Sequence, residues 1–327
     1  MKKNLYTFAI IGAGQIACGY DGPNDQHILT HAHAINTNPN ARLLGFYDID
    51  AVTGIKASEK WGGKSFSSIP EMLAEKPNVV IICAPDSKHM EVLESLLDDP
   101  PKIVICEKPL TLRYESSLRI LDDFIGKGVC LGVNYQRRFD PVVTELKRKF
   151  EVCELGKFLC GTAYYSKGLM HNGSHAIDLL RFIFGDVKSF SSIKKIFDFT
   201  PEDPSIYGIV RFECGDVTII PGDERAFSIF EIDLLFEKAR YKFSHSGMDL
   251  EIQKPVADDV YPGYFELFTE SKIKTGFTNA LSLLVDECID YLSTGAPLRI
   301  EARNILDTQL LCESMVKSET LNLNSRE

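Results

Sequence analysis

Two groups of residues in this chain have types and spacings that could do chemistry together. Gly12-Ala13-Gly14-Gln15-Ile16-Ala17 follows a short apolar run and matches the pattern G-x-G-x-x-A. Gly12 allows a tight turn, Gly14 lets backbone approach a pyrophosphate, and Ala17 permits a helix to pack closely on a strand. Further along, Ile103-Val104-Ile105-Cys106 reads as a buried strand that ends abruptly in Glu107-Lys108-Pro109. The C-terminal end of a strand in an open parallel sheet is where ligands bind. A lysine there is costly to desolvate unless something uses its charge. Pro109 stops the strand and fixes the position from which Lys108 projects. A dinucleotide turn and a placed lysine together imply a redox enzyme.

The second strand ends Gly45-Phe46-Tyr47-Asp48, which puts a carboxylate where it can accept hydrogen bonds from an adenosine ribose. Asp48 would repel a 2′-phosphate, and no Arg or Lys follows it immediately, so NAD is favoured over NADP. The spacing from the glycines to Asp48 exceeds the usual ~20 residues. Cys18–Thr30 accounts for the excess as an insertion between the glycine turn and its helix. That loop is expected near the nicotinamide end, with Tyr20, Asp21, Asp25 and His27 available, either as a surface excursion or as a substrate lid.

The elements that must position these groups follow two rhythms. Up to residue 134, short apolar strands (Thr7–Gly12, Arg42–Tyr47, Val79–Cys83, Ile103–Cys106, Val129–Val133) alternate with helical segments (Ile49–Trp61, Ile69–Ala74, Lys88–Leu97, Tyr114–Gly126). That is the pattern of a doubly wound parallel sheet. From residue 135 to 327 the pattern changes. Helices at Pro141–Phe150 and His175–Phe184 flank strand-like runs at Lys157–Tyr165, Ser189–Phe197, Ile206–Phe212, Val217–Ile220, Ile229–Phe236 and Arg240–Ser244. Their short connections predict a large, mostly antiparallel open sheet. Helices at Thr278–Ser293 and Ala302–Lys317 end the chain. The apolar alternation in Phe227–Phe236 predicts an apolar open sheet face, and hence a homodimer or homotetramer packed through that sheet.

With 327 residues the chain is long enough for two domains. A net charge of −10 argues against a nucleic-acid partner, because phosphate contacts need clustered Lys and Arg. Lys147-Arg148-Lys149 is the nearest thing to a basic run and reads as a solvated helix face. Nine cysteines with no Cys-x-x-Cys pair fit a reduced, cytoplasmic protein better than a disulfide framework or a zinc site. The start of the chain, with Lys2 and Lys3 before a short apolar run, reads as a first strand and not as a signal peptide. No stretch approaches the ~20 apolar residues of a membrane span.

The chain resembles the glucose–fructose oxidoreductase / inositol dehydrogenase / MocA (Gfo/Idh/MocA) family along nearly its full length. The residues carrying the resemblance are Gly12–Ala17, Ala84-Pro85-Asp86-Ser87-Lys88-His89, Cys106-Glu107-Lys108-Pro109-Leu110, Tyr135-Gln136-Arg137-Arg138-Phe139-Asp140-Pro141 and Gly173-Ser174-His175-Ala176-Ile177-Asp178. The resemblance implies an N-terminal Rossmann domain and a C-terminal α+β domain. It also implies hydride transfer between a nicotinamide and a sugar or polyol hydroxyl, on a free sugar, an inositol or a modified or nucleotide-linked sugar. By the same resemblance Lys108 and His175 are the catalytic pair, and Ala84, Pro85, His89 and Glu107 join Gly12, Gly14, Gln15, Ile16, Ala17, Asp48 and Lys108 around the cofactor. Tyr135, Arg138, His171, Asn172 and His175 are the expected substrate residues.

Oxidising an alcohol needs a base with a pKa near the working pH. His175 is read as that base, with Lys108 polarising the same oxygen, or the reverse. Beside a cationic ring, like charge and burial both favour a neutral lysine. Asp178, three residues after His175, is expected to orient it or to cap its helix. Many sugar-oxidising relatives carry an aspartate four residues before this histidine, whereas His171 stands here. No third ligand accompanies His171 and His175 at a recognisable spacing, so no metal site is expected. Tyr261 and Tyr264, around Pro262-Gly263, fall in a loop that could close over a sugar. Two other readings stay open: a hydrolase that uses tightly held NAD to oxidise a sugar transiently, and a non-catalytic nucleotide-binding sensor.

Overall fold

The computed structural model describes Leu5–Ser318, so Lys2 and Lys3, read from sequence as preceding a first strand, lie outside the described residues. The chain forms two compact units. One comprises the residues up to Phe139 together with Thr278–Asp307, and the other comprises Asp140–Phe277 together with the chain from Thr308 onward. This differs from two consecutive blocks meeting at residue 134, because a late segment returns to the first unit.

The first unit is built on six parallel strands: β1 (Tyr6–Ile11), β2 (Ala41–Tyr47), β3 (Lys64–Phe66), β4 (Val79–Ile82), β5 (Ile103–Glu107) and β6 (Cys130–Asn134). Their order is β3-β2-β1-β4-β5-β6, a doubly wound sheet whose strand order reverses at β1. Strands such as Val79–Ile82 are apolar on both faces because helices cover both. The helices are α1 (His31–Thr37), α2 (Ala51–Trp61), α3 (Ile69–Ala74), α4 (His89–Ser95) and α5 (Tyr114–Gly126). Side-chain caps set several starts, with Thr30 accepting from His33 N, Asp50 from Val52 N and Ser68 from Glu71 N.

The second unit opens with α6 (Pro141–Glu151), β7 (Phe158–Tyr165) and α7 (Ser174–Phe184). There follow β8 (Val187–Ile196), β9 (Ser205–Phe212), β10 (Gly215–Pro221), β11 (Phe230–Phe236), β12 (Arg240–Ser244), β13 (Asp249–Ala257) and β14 (Phe265–Lys274). The eight-stranded sheet runs β14-β13-β12-β11-β7-β10-β9-β8 and is antiparallel except for the β10–β7 pair. The chain ends with α8 (Ala280–Thr294) in the first unit and α9 (Ala302–Lys317), within which the division between the units falls.

One expectation about this sheet fails. Phe230, Ile232, Leu234 and Phe236 of β11 face the core with Leu180 of α7 and Met315 of α9. The other face of β11 carries Glu231, Asp233 and Leu235, and Asp233 is ion-paired with Arg240. The alternation therefore marks the covered face, and the opposite face is mixed in polarity.

Candidate active site

The glycine turn builds a cleft at the C-terminal ends of β1, β2 and β4. Gly12 has φ +87°, and a Cβ there would meet Ala84 N at 2.6 Å, so only glycine fits. A Cβ on Gly14 would meet nothing within 4 Å, which leaves open space above the turn. The resulting cleft, of about 650 Å³, is lined among others by Gly12, Gly14, Tyr47, Asp48, Ala84 and Pro85. Asp48 Oδ2 accepts from Ala13 N at 2.7 Å and Oδ1 from Asp50 N at 2.9 Å, so its carboxylate is locked against the turn. Ile49 and Lys88 also line the cleft, Lys88 in an exposed pair with Glu91 at 2.9 Å. A narrow glycine floor, open space over Gly14 and a fixed ribose-side carboxylate fit a dinucleotide.

After Gly14 the expected helix is interrupted. Gln15, Ile16 and the buried Ala17 form a π-helical turn, Gln15–Gly19. Cys18 O there accepts from Trp61 Nε1 at 2.9 Å and Lys60 Nζ at 3.0 Å. A loop follows, and α1 begins only at His31, which explains the long spacing to Asp48. Within the loop, Asp21 is not available to a ligand. It is buried and accepts from Leu29 N (2.6 Å) and Thr30 Oγ1 (2.6 Å), and meets His33 Nδ1 at 2.8 Å. Burial would raise its carboxyl pKa, but these hydrogen bonds together hold it below the usual value.

Lys108 is half-buried just past β5, and the Lys108–Pro109 peptide is cis. Below it stands a cluster that sequence reasoning missed. His31 Nε2 lies 2.9 Å from Glu107 Oε1, which also accepts from Asn134 Nδ2 at 2.7 Å. Burial pushes the Glu107 carboxyl up, yet the hydrogen bond and charge of His31, then Asn134 and the Lys108 ammonium, bring it below its ordinary range. Cys83 and Cys106 are pushed well up by burial and by the Glu107 charge, so neither is a ready nucleophile.

Three expected ligand residues are placed elsewhere. His89 is fully buried, with Nδ1 2.7 Å from Pro109 O and Nε2 2.9 Å from Ala84 O. It ties the turn after β4 to the turn after β5 and does not border the cofactor space directly. Tyr135 is buried in the first unit's core. Arg138 is 5% exposed and donates to Arg299 O at 3.0 Å, while Arg299 donates back to Arg138 O at 3.1 Å. That clasp engages the arginine that sequence suggested for the substrate.

In the second unit, His171, Asn172 and His175 come together on the π-helical turn Gly168–Gly173 and the first turn of α7. His171 stacks on Phe199 with ring centres 4.9 Å apart, and Asn172 Nδ2 donates to Ser166 O at 2.9 Å. Asp178 is buried and accepts from Thr308 Oγ1 at 3.3 Å, and Arg181 donates to the same hydroxyl at 2.9 Å. A network inside the unit therefore engages Asp178.

The model of an oxidoreductase family with an NAD-binding Rossmann fold, GFO_IDH_MocA, matches residues 6–135. The chain is 26% identical over 283 residues to glucose-6-phosphate 3-dehydrogenase of Bacillus subtilis, covering 86% of this chain and 67% of that protein. It is 22% identical over 336 residues to inositol 2-dehydrogenase of Rhizobium meliloti, covering 95% and 96% of the two. A solved structure from Desulfitobacterium hafniense, provisionally described as an NADPH-dependent oxidoreductase, shares the fold with a TM-score of 0.81 at 19% identity over 96% of each chain. With the glycine turn and the Glu-Lys-Pro strand end in place, residues 6–135 are the NAD-binding Rossmann domain of a Gfo/Idh/MocA-type oxidoreductase.

Proposed function

We propose that the chain is an NAD-dependent dehydrogenase of a sugar or polyol, with Lys108 and His175 handling the proton of the reacting hydroxyl. The observation that carries this reading is the cleft over Gly12 and Gly14, closed on its ribose side by Asp48. Bound there, NAD supplies the acceptor for hydride. Asp48 repels a 2′-phosphate, Ile49 beside it is apolar, and the nearby Lys88 is engaged with Glu91, all of which support NAD over NADP. In this reading His175 takes the hydroxyl proton while Lys108 holds the oxygen. The names of the two relatives support a polyhydroxylated substrate. Self-association through the C-terminal sheet belongs to the same reading, supported by the apolar residues exposed on β14.

The test is NADH formation across a panel of sugars, inositols and their derivatives, repeated with NADP. Lys108→Ala is expected to lower turnover by roughly 10²–10⁴-fold, the range of a lost proton-handling group. NAD affinity should stay close to that of the parent protein. Unchanged turnover in Lys108→Ala removes the assignment.

A further inference from the structure

Lys167 stands at the exit of β7 with φ 71° and ψ 51°, left-handed for a residue with a side chain. Such a conformation persists only where the surroundings over-determine it, and it clusters at functional sites. Here the surroundings do. Asp198 Oδ2 accepts from Lys167 N at 2.8 Å and from Glu224 N at 3.2 Å. Ser205 Oγ accepts from Gly168 N at 3.0 Å, and Asp203 accepts from Met170 N at 2.7 Å and His171 N at 2.9 Å. A glycine at 167 would adopt the same backbone without strain, so what the strained position supports is the lysine side chain.

That side chain ends 5.7 Å from the centre of the Phe199 ring, the ring on which His171 also stacks. Among the described residues no carboxylate forms an ion pair with the ammonium, although the chain carries 46 acidic residues. The neighbouring acids hold other groups: Asp198 holds backbone, and Glu224 accepts from Ser166 Oγ and Ser228 Oγ, each at 2.7 Å, while the Lys167 charge acts on it only through space, without an ion pair. A cation over a partly exposed ring is held weakly and can turn to an anion as a point charge. Lys167, Phe199 and His171 thus form one cluster on the segment that leads into His175. Arg138, the arginine that sequence suggested for an anion, is buried in its clasp with Arg299.

We propose that Lys167 binds an anionic oxygen substituent of the substrate, a phosphate or a carboxylate, and so selects charged over neutral sugars. The proposal rests on the reading of the chain as a dehydrogenase of sugar-like molecules. Calorimetric titration of the NAD-loaded protein with glucose, glucose 6-phosphate and glucuronate tests it. At least one charged sugar should bind about tenfold or more tighter than glucose, a difference of ~1.4 kcal/mol, and which one does so identifies phosphate or carboxylate. Lys167→Gly, which suits the left-handed backbone and should melt no lower than the parent, is expected to lose most of that preference; Lys167→Arg should keep part of it. Glucose binding as tightly as both charged sugars, no binding of either charged sugar, or a preference unchanged in Lys167→Gly overturns the proposal. NAD reduction assayed with the same three sugars separates the two readings. A charge preference with no turnover of any sugar counts against the dehydrogenase, and turnover with no preference counts against Lys167 alone.

Discussion

Glu107 occupies a place where a carboxylate is costly, with only 16% of its side chain exposed, yet its carboxyl is held below the ordinary range. Burial opposes that shift, and His31, Asn134 and Lys108 outweigh it. A group whose folded pKa lies below its unfolded value gives stability that is present above the unfolded value and lost as pH falls through the folded one. For Glu107 the loss begins below about 4.5, and for Asp21 below about 3.8, their ordinary values. His31→Ala should therefore cost about 2 kcal/mol at neutral pH, the order for removing one partner of a buried charged hydrogen bond. Its acid-side loss should also be smaller than in the parent, because without His31 the Glu107 carboxyl lies closer to its unfolded value. Urea unfolding at neutral pH and at two acidic values checks this, and superimposable curves would refute it. Sequence could not show this cluster, because His31 and Glu107 are 76 positions apart and only the fold joins them. The glycines were legible because their motif is contiguous, and Asp48 because it ends the second strand, even at a longer spacing than usual. The burial of Tyr135 and Arg138 was not legible, because a motif gives proximity to a site without saying which side chains turn inward.

At the scale of elements, period-two alternation made β9 and β11 readable, since one face of each is buried and the other half-exposed. It did not reveal β13 and β14, whose Lys254–Ala257 and Phe265–Phe268 stretches are exposed on both faces and interrupted by Pro255. The change of rhythm near Asn134 was visible, but the return of Thr278–Asp307 to the first unit was not. An amphipathic helix carries no local mark of which core it will join. The turn between β7 and α7 gives the prediction that belongs to this scale. Gly168 has φ +74°, and a Cβ there would meet Asp203 Oδ2 at 2.2 Å. Gly168→Ala should thus both strain the backbone and push Asp203 off Met170 N and His171 N, costing about 2 kcal/mol or more. The expected readout is a lower denaturant midpoint together with reduced turnover; a stability within about 0.5 kcal/mol of the parent would show that the turn relaxes freely.

At the scale of the molecule, a group of strongly exposed apolar side chains among the described residues lies at one end of the second sheet. β12 pairs with β13 only between Asp249 and Gln253, so Lys254–Ala257 and Phe265–Phe268 pair with each other alone. A two-stranded ribbon without a covered face is marginally stable in water. This one carries Phe265 at 73% exposure, Phe268 at 64%, and Tyr261 and Tyr264 stacked edge to face at its tip. Lys254, Glu270, Lys272 and Lys274 stay in ion pairs nearer the sheet, so the tip offers chiefly apolar contact. Burying a phenylalanine side chain contributes about 1.5–3 kcal/mol, and a two-fold contact through this ribbon buries at least two from each copy. Self-association through the ribbon, and not through the mixed open face, is the expected arrangement. Phe265→Ser with Phe268→Ser should then shift the protein toward monomer in light scattering. The same pair should leave the thermal midpoint of dilute protein almost unchanged, because neither ring belongs to a core. A monomeric parent protein, or a variant that associates as strongly as the parent, would rule the ribbon out as the contact.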